Sequence, residues 1–150
     1  MEATYWDKWT ERQRSALEAM PGGRELIAHF GFVPSFHDAE IIKLDLQRRG
    51  PSTIALQYWK TSPDADSCIV EIVMGQVVDV VLDGFSQQNV VGDVCFLIPA
   101  PVRPDRERLY FPTKRRENEI EIVISPCYGL EGFIRCLDVS FVVGPYDGKL

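Results

Sequence analysis

The hydrophobic residues of this chain change their spacing at Pro34, and that change constrains the fold more than any other feature of the sequence. Before Pro34, apolar residues recur every three or four positions, which is the spacing of an amphipathic helix. After it, they alternate with polar residues, as in a strand with one buried and one solvated face. We therefore expect an α+β protein in which helical segments precede a sheet.

Two helical segments are predicted before Pro34. Thr4 and Asp7 have the spacing of a capping box, in which each side chain binds a free backbone amide of the first turn. A second, shorter helix is expected from Arg24 to Phe30, with Gly31 as its C-terminal cap. The first helix is expected to bury an apolar stripe made of Trp6, Trp9, Ala16, Leu17 and Met20.

A mostly antiparallel sheet of about six or seven strands is predicted after Pro34. The whole chain, 1–150, is expected to form a single domain with a helical part (1–32) and a β-rich part (33–150). Gly75 and Gln76 indicate a turn or bulge between two strands. The first two strands are expected to form a hairpin with buried faces made of Ile42, Leu44 and Leu46 and of Ile54, Leu56 and Tyr58.

Charge and hydropathy disfavour two classes of partner. The net charge is −6. Nucleic-acid binding requires a continuous positive surface. The eight basic residues of positions 1–60 are balanced by eight acidic ones, and the basic excess is confined to one short block from Arg103 to Arg116. No apolar run approaches the ~20 residues of a membrane span, and the charged N-terminus lacks the apolar core of a secretory signal. We therefore expect a cytoplasmic protein that binds neither nucleic acid nor membrane.

The segment "VPSFHDAEI" gathers a histidine and two carboxylates. A helical turn would bring His37 to Glu40, and an extended chain would put Asp38 beside Glu40, so either arrangement supplies two groups. A divalent metal requires three or four, and the other histidine, His29, lies on the preceding helix. We expect no metal, no cofactor and no catalytic residue here, but a turn in which Ser35 and Asp38 cap the backbone.

The four cysteines do not form the close CxxC pairs of a zinc site, so free thiols are expected. Cys127 is the candidate nucleophile if a thiol enzyme is built here with a histidine as base. One alternative is therefore a small metal- or thiol-dependent enzyme centred on His37, Asp38 and Glu40. Another is a self-associating module that pairs through a sheet edge.

Three stretches together resemble a family of bacterial immunity proteins, immunity protein 50, found beside polymorphic toxins: "GFVPSFHDAEIIKLDL", "VVDVVLDGFSQQNVVGDVCF" and "IEIVISPCYGLEGFIRCLDVSF". The resemblance implies a non-catalytic protein that binds and neutralises a cognate toxin. It also implies that one set of residues is a family signature with a structural role, namely Ser35, Phe36, His37, Asp38 and Glu40.

An acidic run between residues 61 and 102, which holds no basic residue, is the candidate docking face for such a toxin. A basic toxin would be attracted to it through complementary charge. The sequence leaves open whether the protein is a monomer or a homodimer. The residues of this predicted face are Asp64, Asp66, Glu71, Asp79, Asp83 and Asp93.

Overall fold

The computed structural model describes residues 2–101 and 118–148. Two N-terminal helices precede antiparallel strands, which confirms the predicted α+β class, and a short helix α3 lies between the second and third strands. The described elements are α1 (Tyr5–Glu18), α2 (Gly23–Phe30), β1 (Glu40–Asp45), β2 (Ser52–Tyr58), α3 (Pro63–Asp66), β3 (Cys68–Asp83), β4 (Val90–Leu97), β5 (Ile120–Tyr128) and β6 (Glu131–Pro145). The block from Arg103 to Arg116 lies outside the described residues.

The strands close into a barrel in the order β1-β2-β3-β6-β5-β4, and this closure is more specific than the predicted sheet. Alternating hydrophobicity has the same period in an open sheet and in a barrel, so the sequence pattern could not distinguish them. The core fills the barrel and extends to the helices, which contribute Leu17, Leu26 and Phe30.

The last gap in the barrel, between β1 and β4, is bridged by few direct strand contacts. Glu40 pairs with Val90, and further along β4 the amide of Val94 donates to the carbonyl of Ser35 at 2.9 Å. Beyond that point, α1 replaces the missing strand. The Gln13 side chain accepts from the Phe96 amide at 2.8 Å and donates to the Phe96 carbonyl at 3.1 Å.

The capping box of α1 is confirmed, because Thr4 and Asp7 each bind the other's backbone amide. The predicted buried stripe is wrong at its N-terminal end, since Trp6 is 69% exposed. Leu17 and Met20 do reach the core, but the third inward position is the polar Gln13. The face of α1 that points inward is thus the one that contacts the edge of β4, and it is not the face that carries the tryptophans.

The predicted helix α2 and its glycine cap are confirmed, since Gly31 has a φ of 79° at the C-terminus. The turn between the helices packs tightly on β6. The Phe141 amide donates to the Pro21 carbonyl at 3.0 Å, and a Cβ on Gly22 would lie 2.3 Å from the Phe141 carbonyl oxygen. A side chain at this position would therefore separate the helices from the barrel.

Two bulges change the predicted strand pattern. In β1, an irregularity between Ile41 and Lys43 brings Ile41 into the core in place of the predicted Ile42. Leu44 packs against the core as predicted, and Leu46 is exposed because β1 ends at Asp45. In β3, the turn or bulge predicted at Gly75 and Gln76 is a bulge between Val77 and Asp79, and the two predicted strands are one continuous strand. A bulge shifts side chains to the other face without ending the strand.

The strands β5 and β6 carry a buried charge cluster on the outer face of the barrel. The guanidinium of Arg135 lies 3.3 Å from a carboxylate oxygen of Glu121 and 3.7 Å from one of Glu119. It also donates to the carbonyl of Pro101 at 2.9 Å. The cluster therefore fastens the end of the loop after β4 to the sheet.

Among the described residues, no helix has the length and apolar character that crossing a membrane would require.

Candidate functional site

The segment from Ser35 to Glu40 closes the barrel against β4. The Asp38 amide donates to the Val91 carbonyl at 2.9 Å, and the Val91 amide donates to the Ala39 carbonyl at 2.8 Å. Phe36 is fully buried and packs against the ring of Tyr58, with centroids 5.1 Å apart. Phe36 and Asp38 have φ values of 63° and 67°. The chain thus makes a tight turn in which Phe36 points inward and its neighbours point outward.

The hydrogen bonds of this turn differ in detail from the predicted cap. The Ser35 hydroxyl accepts from the amide of His37 at 3.3 Å, whereas the amide of Asp38 is used by β4. The His37 ring binds the backbone as well, through Nδ1 and the carbonyl oxygen of Gly92 at 2.9 Å. Both residues therefore contribute to the turn.

The fold adds a third group to the two that the segment supplies. His37 Nε2 lies 3.5 Å from a carboxylate oxygen of Asp38, and the Cys127 thiol approaches both from β5. One ligand atom from each residue lies within 4.8 Å of the others, and all three residues are exposed. We call this set the His-Asp-Cys cluster.

The other two candidate groups lie apart from the His-Asp-Cys cluster. Glu40 begins β1 and pairs with Gln57 and Val90. His29 stacks edge-on against Phe30 and lines a different groove beside Lys60. The sequence did not indicate that Cys127 would join His37, because that contact depends on the register by which β5 pairs with β4.

The four cysteines differ strongly in environment. Burial raises the pKa of the Cys136 thiol to about 12, with smaller contributions from the nearby carboxylates of Asp138 and Glu119. Burial likewise raises the pKa of Cys68 and of Cys95. Cys127 is the exposed cysteine. It is therefore the thiol best placed to meet an external ion or reagent.

The predicted acidic face is divided by the fold. Asp93 lies on β4, which stands opposite β3 in the ring of strands, and it lines a groove of about 680 Å³ beneath α1 with Trp9 and Arg12. Asp64 is exposed on α3. Asp66 caps the chain before α3, and hydrogen bonds led by that from the Thr61 amide lower the pKa of its carboxyl group.

The remaining three acids share one surface. Glu71, Asp79 and Asp83 project from the outer face of β3, because the alternate positions carry the buried residues of the core. Two acids outside the predicted face join them from β6. Glu131 pairs directly with Asp83, and Asp138 pairs with Gly75 and accepts from its amide at 3.1 Å.

A groove of about 370 Å³ opens on this outer surface where β3, β6 and β5 run side by side. Its floor is an apolar row, since Val81 pairs with Phe133 and Phe133 pairs with Val123. Asp83 and Glu131 lie at its rim. We call these five residues the ribbon patch. The sequence marked one of them, Asp83, because the others are brought together only by strand register.

Two exposed aromatic residues lie close to the ribbon patch. Phe85 follows β3 and Tyr128 ends β5. The backbones beside them meet, since a Cβ on Gly84 would lie 2.7 Å from the carbonyl oxygen of Gly129. This end of the barrel therefore combines apolar, aromatic and acidic surface.

Comparison of the chain with protein-family models, with curated proteins and with solved structures finds no match. The resemblance to immunity proteins stays a prediction, and these comparisons add no support to it.

Proposed function

We propose that this chain is a cytoplasmic immunity protein that binds a cognate bacterial toxin and blocks it without catalysis. The three-stretch resemblance motivates the proposal. The observation that carries it furthest is the ribbon patch, because its composition suits a protein partner.

The patch has the anatomy of a small docking surface. Its apolar row, formed by Val81, Phe133 and Val123, lies at the centre, and the carboxylates of Asp83 and Glu131 lie at the edge. Protein interfaces commonly combine an apolar centre, rich in aromatic residues, with a polar rim. Stable affinity would come from the apolar row, and the rim would select the partner.

The charge of the surrounding surface favours a basic toxin. Glu71, Asp138 and Asp79 extend the acidic rim along the same outer face of β3 and β6. Like charges on one face attract an oppositely charged partner and accelerate its association. Of the predicted acidic face, this proposal therefore keeps Glu71, Asp79 and Asp83 and leaves the other acids outside the contact.

Co-expression tests the proposal. A toxin encoded beside this gene should stop the growth of a bacterial host, and the intact chain should restore it. A variant with Phe133→Asp should lose protection, because a charge in the apolar row cannot be buried against a partner. Leu46→Asp is the matched control, since Leu46 is an exposed apolar residue just after β1, a strand that neighbours none of β3, β6 and β5 in the barrel.

Both variants must accumulate in the host to the same level as the intact chain. Killing that continues in the presence of the intact chain would refute the proposed function. Protection by Phe133→Asp equal to that by Leu46→Asp would refute the ribbon patch as its location.

A further inference from the structure

We propose that the His-Asp-Cys cluster is a surface binding site for a thiophilic divalent metal ion, with Zn²⁺ as the ion that fits it best. The inference goes beyond toxin neutralisation and does not depend on it. It rests on the donor atoms of the cluster, on their separations and on the orientation of the His37 ring.

The donor atoms match zinc chemistry. Imidazole nitrogen, thiolate sulfur and carboxylate oxygen are the three protein ligands that Zn²⁺ takes, whereas Ca²⁺ and Mg²⁺ take oxygen alone. His37, Asp38 and Cys127 provide one of each. Because the set includes a thiolate and an imidazole, it favours an ion that binds sulfur and nitrogen, such as Zn²⁺. The acidic residues elsewhere on the surface offer oxygen alone.

The separations are close to those that a bound ion imposes. Ligands about 2.0–2.3 Å from a tetrahedral ion lie roughly 3.3–3.8 Å from one another. His37 Nε2 and the Asp38 oxygen are 3.5 Å apart, and all three ligand atoms lie within 4.8 Å. Small rotations of these exposed side chains would bring the Cys127 sulfur to the required distance.

The hydrogen bond to Gly92 prepares the imidazole for an ion. A carbonyl oxygen can only accept, so His37 Nδ1 must carry the proton that it shares with Gly92. In the neutral ring, Nε2 then carries the free lone pair, and this nitrogen faces Asp38. Metal-binding histidines are oriented in this way, with the second ring nitrogen donating to a carbonyl or a carboxylate.

The backbone explains how neighbouring residues can serve one ion. Side chains of adjacent residues in a regular strand point to opposite faces. The φ of 67° at Asp38 departs from strand geometry, and the hydrogen bond between its amide and Val91 holds the turn. Cys127 completes the set from β5, so an ion would link the closing segment of the barrel to a strand about 90 residues later.

The arrangement leaves room for a fourth ligand. The side chains of His37 and Asp38 are each more than three-fifths exposed, at 63% and 61%. Three protein ligands with an open position leave one site for water or for a group from another molecule. The bound ion would stabilise the folded chain, because the assembled ligand set is absent from the unfolded one.

Cobalt titration tests the site through a signal that only a thiolate ligand produces. The full chain, free of any polyhistidine tag, is reduced, stripped with a chelator and titrated with Co²⁺. We expect one equivalent to bind with a near-ultraviolet charge-transfer band from the cysteine, and Zn²⁺ to displace it. Because the three ligands are assembled in the folded chain, Zn²⁺ should bind the folded form more tightly than the unfolded one and should also raise the melting temperature.

Variants locate the ligands. Cys127→Ser should abolish the charge-transfer band, and His37→Gln and Asp38→Asn should each weaken Co²⁺ binding by about 10-fold or more. Cys95→Ser and His29→Gln are the matched controls and should bind as the intact chain does. Circular dichroism should show that all five variants remain folded.

Three results would overturn the proposal. They are an intact chain that gives no charge-transfer band, a band that survives Cys127→Ser, and equal losses in Cys127→Ser and Cys95→Ser. Because the chain is measured alone, failure here leaves the toxin proposal unaffected, and failure of toxin binding leaves this one unaffected.

Discussion

Gln13 takes the place of a strand at the edge of β4. Its side chain accepts from the amide of Phe96 and donates to the carbonyl of the same residue, and it is buried. A polar residue in this position completes the hydrogen bonds of a barrel that β1 and β4 close by direct pairing at Glu40 and Val90. A buried backbone group that loses its partner costs about 1–3 kcal/mol.

Gln13→Ala should therefore lower the free energy of unfolding by about 2 kcal/mol, because both backbone groups of Phe96 lose their partner. Urea denaturation measures the change. Ser15→Ala, at an exposed position of the same helix, is the control and should change stability by less than about 0.5 kcal/mol. Equal effects of the two substitutions would show that Gln13 does not support the sheet.

Cys136 makes the stability of the fold depend on alkaline pH. Burial raises the pKa of its thiol from 9.0 to about 12, so the folded chain keeps a proton that the unfolded chain releases above about pH 9. Because the folded state then binds more protons, its stability decreases as the pH rises from about 9 to 12. One such proton contributes a slope of about 1.4 kcal/mol per pH unit.

Cys136→Ala should reduce the decrease of stability with pH, because it removes this thiol. The smaller side chain also lowers stability, but by an amount that does not depend on pH. Chemical denaturation at several pH values between about 8.5 and 11 measures the slope. Val139→Ala is the control, because it removes a buried side chain from the same strand without removing an ionisable group, and it should keep the slope of the intact chain. An unchanged slope in Cys136→Ala would contradict the role assigned to the buried thiol.

At the scale of elements, local sequence signals predicted helix ends and strand faces well where no bulge intervened. The capping box at Thr4 and the glycine cap at Gly31 are confirmed because each depends on neighbouring residues. The predicted face of β1 was wrong at Ile42, because the irregularity after Ile41 shifts the alternation, and right at Leu44. The contact between Cys127 and His37 could not be predicted, since it depends on the pairing of β4 with β5 across a long connection.

The strands β5 and β6 are joined on their outer face by the charge cluster around Arg135. Arg135→Leu would leave the carboxylates of Glu119 and Glu121 buried without this guanidinium. Removing one partner of a buried ion pair costs about 3–5 kcal/mol, so we expect a loss of about 3 kcal/mol in the free energy of unfolding.

Urea denaturation compares the free energies of unfolding of Arg135→Leu and Arg24→Leu. Arg24→Leu is the control, because Arg24 is an exposed cation on α2. The control should lose less than about 1 kcal/mol. A loss at Arg135 no larger than that at Arg24 would mean that the cluster contributes little to joining the strands.

In the whole molecule, barrel closure determines which acids lie close together. It places β3 and β4 on opposite sides, which separates Asp93 from Asp83, and it brings Glu131 beside Asp83. The sequence predicted an acidic docking face from the composition of one segment. The fold distributes those acids over several elements and brings together a groove from three strands, because pairing partners come from distant parts of the chain.

We propose above all that the ribbon patch docks onto a toxin. The most direct test is the association rate of the purified chain with the toxin encoded beside its gene, measured at about 0.05 and 0.3 M salt. The test compares the intact chain with Asp83→Asn/Glu131→Gln. Glu18→Gln/Glu25→Gln is the matched control, because it removes the same charge from the exposed faces of α1 and α2.

We predict that the intact chain forms a complex with the toxin and that its association slows as salt is added. At low salt, Asp83→Asn/Glu131→Gln should associate several-fold more slowly than the intact chain, and the control should associate at the same rate. Equal association rates for the two double variants would contradict docking through the ribbon patch. No complex at about 50 µM of each protein would contradict the proposed function itself.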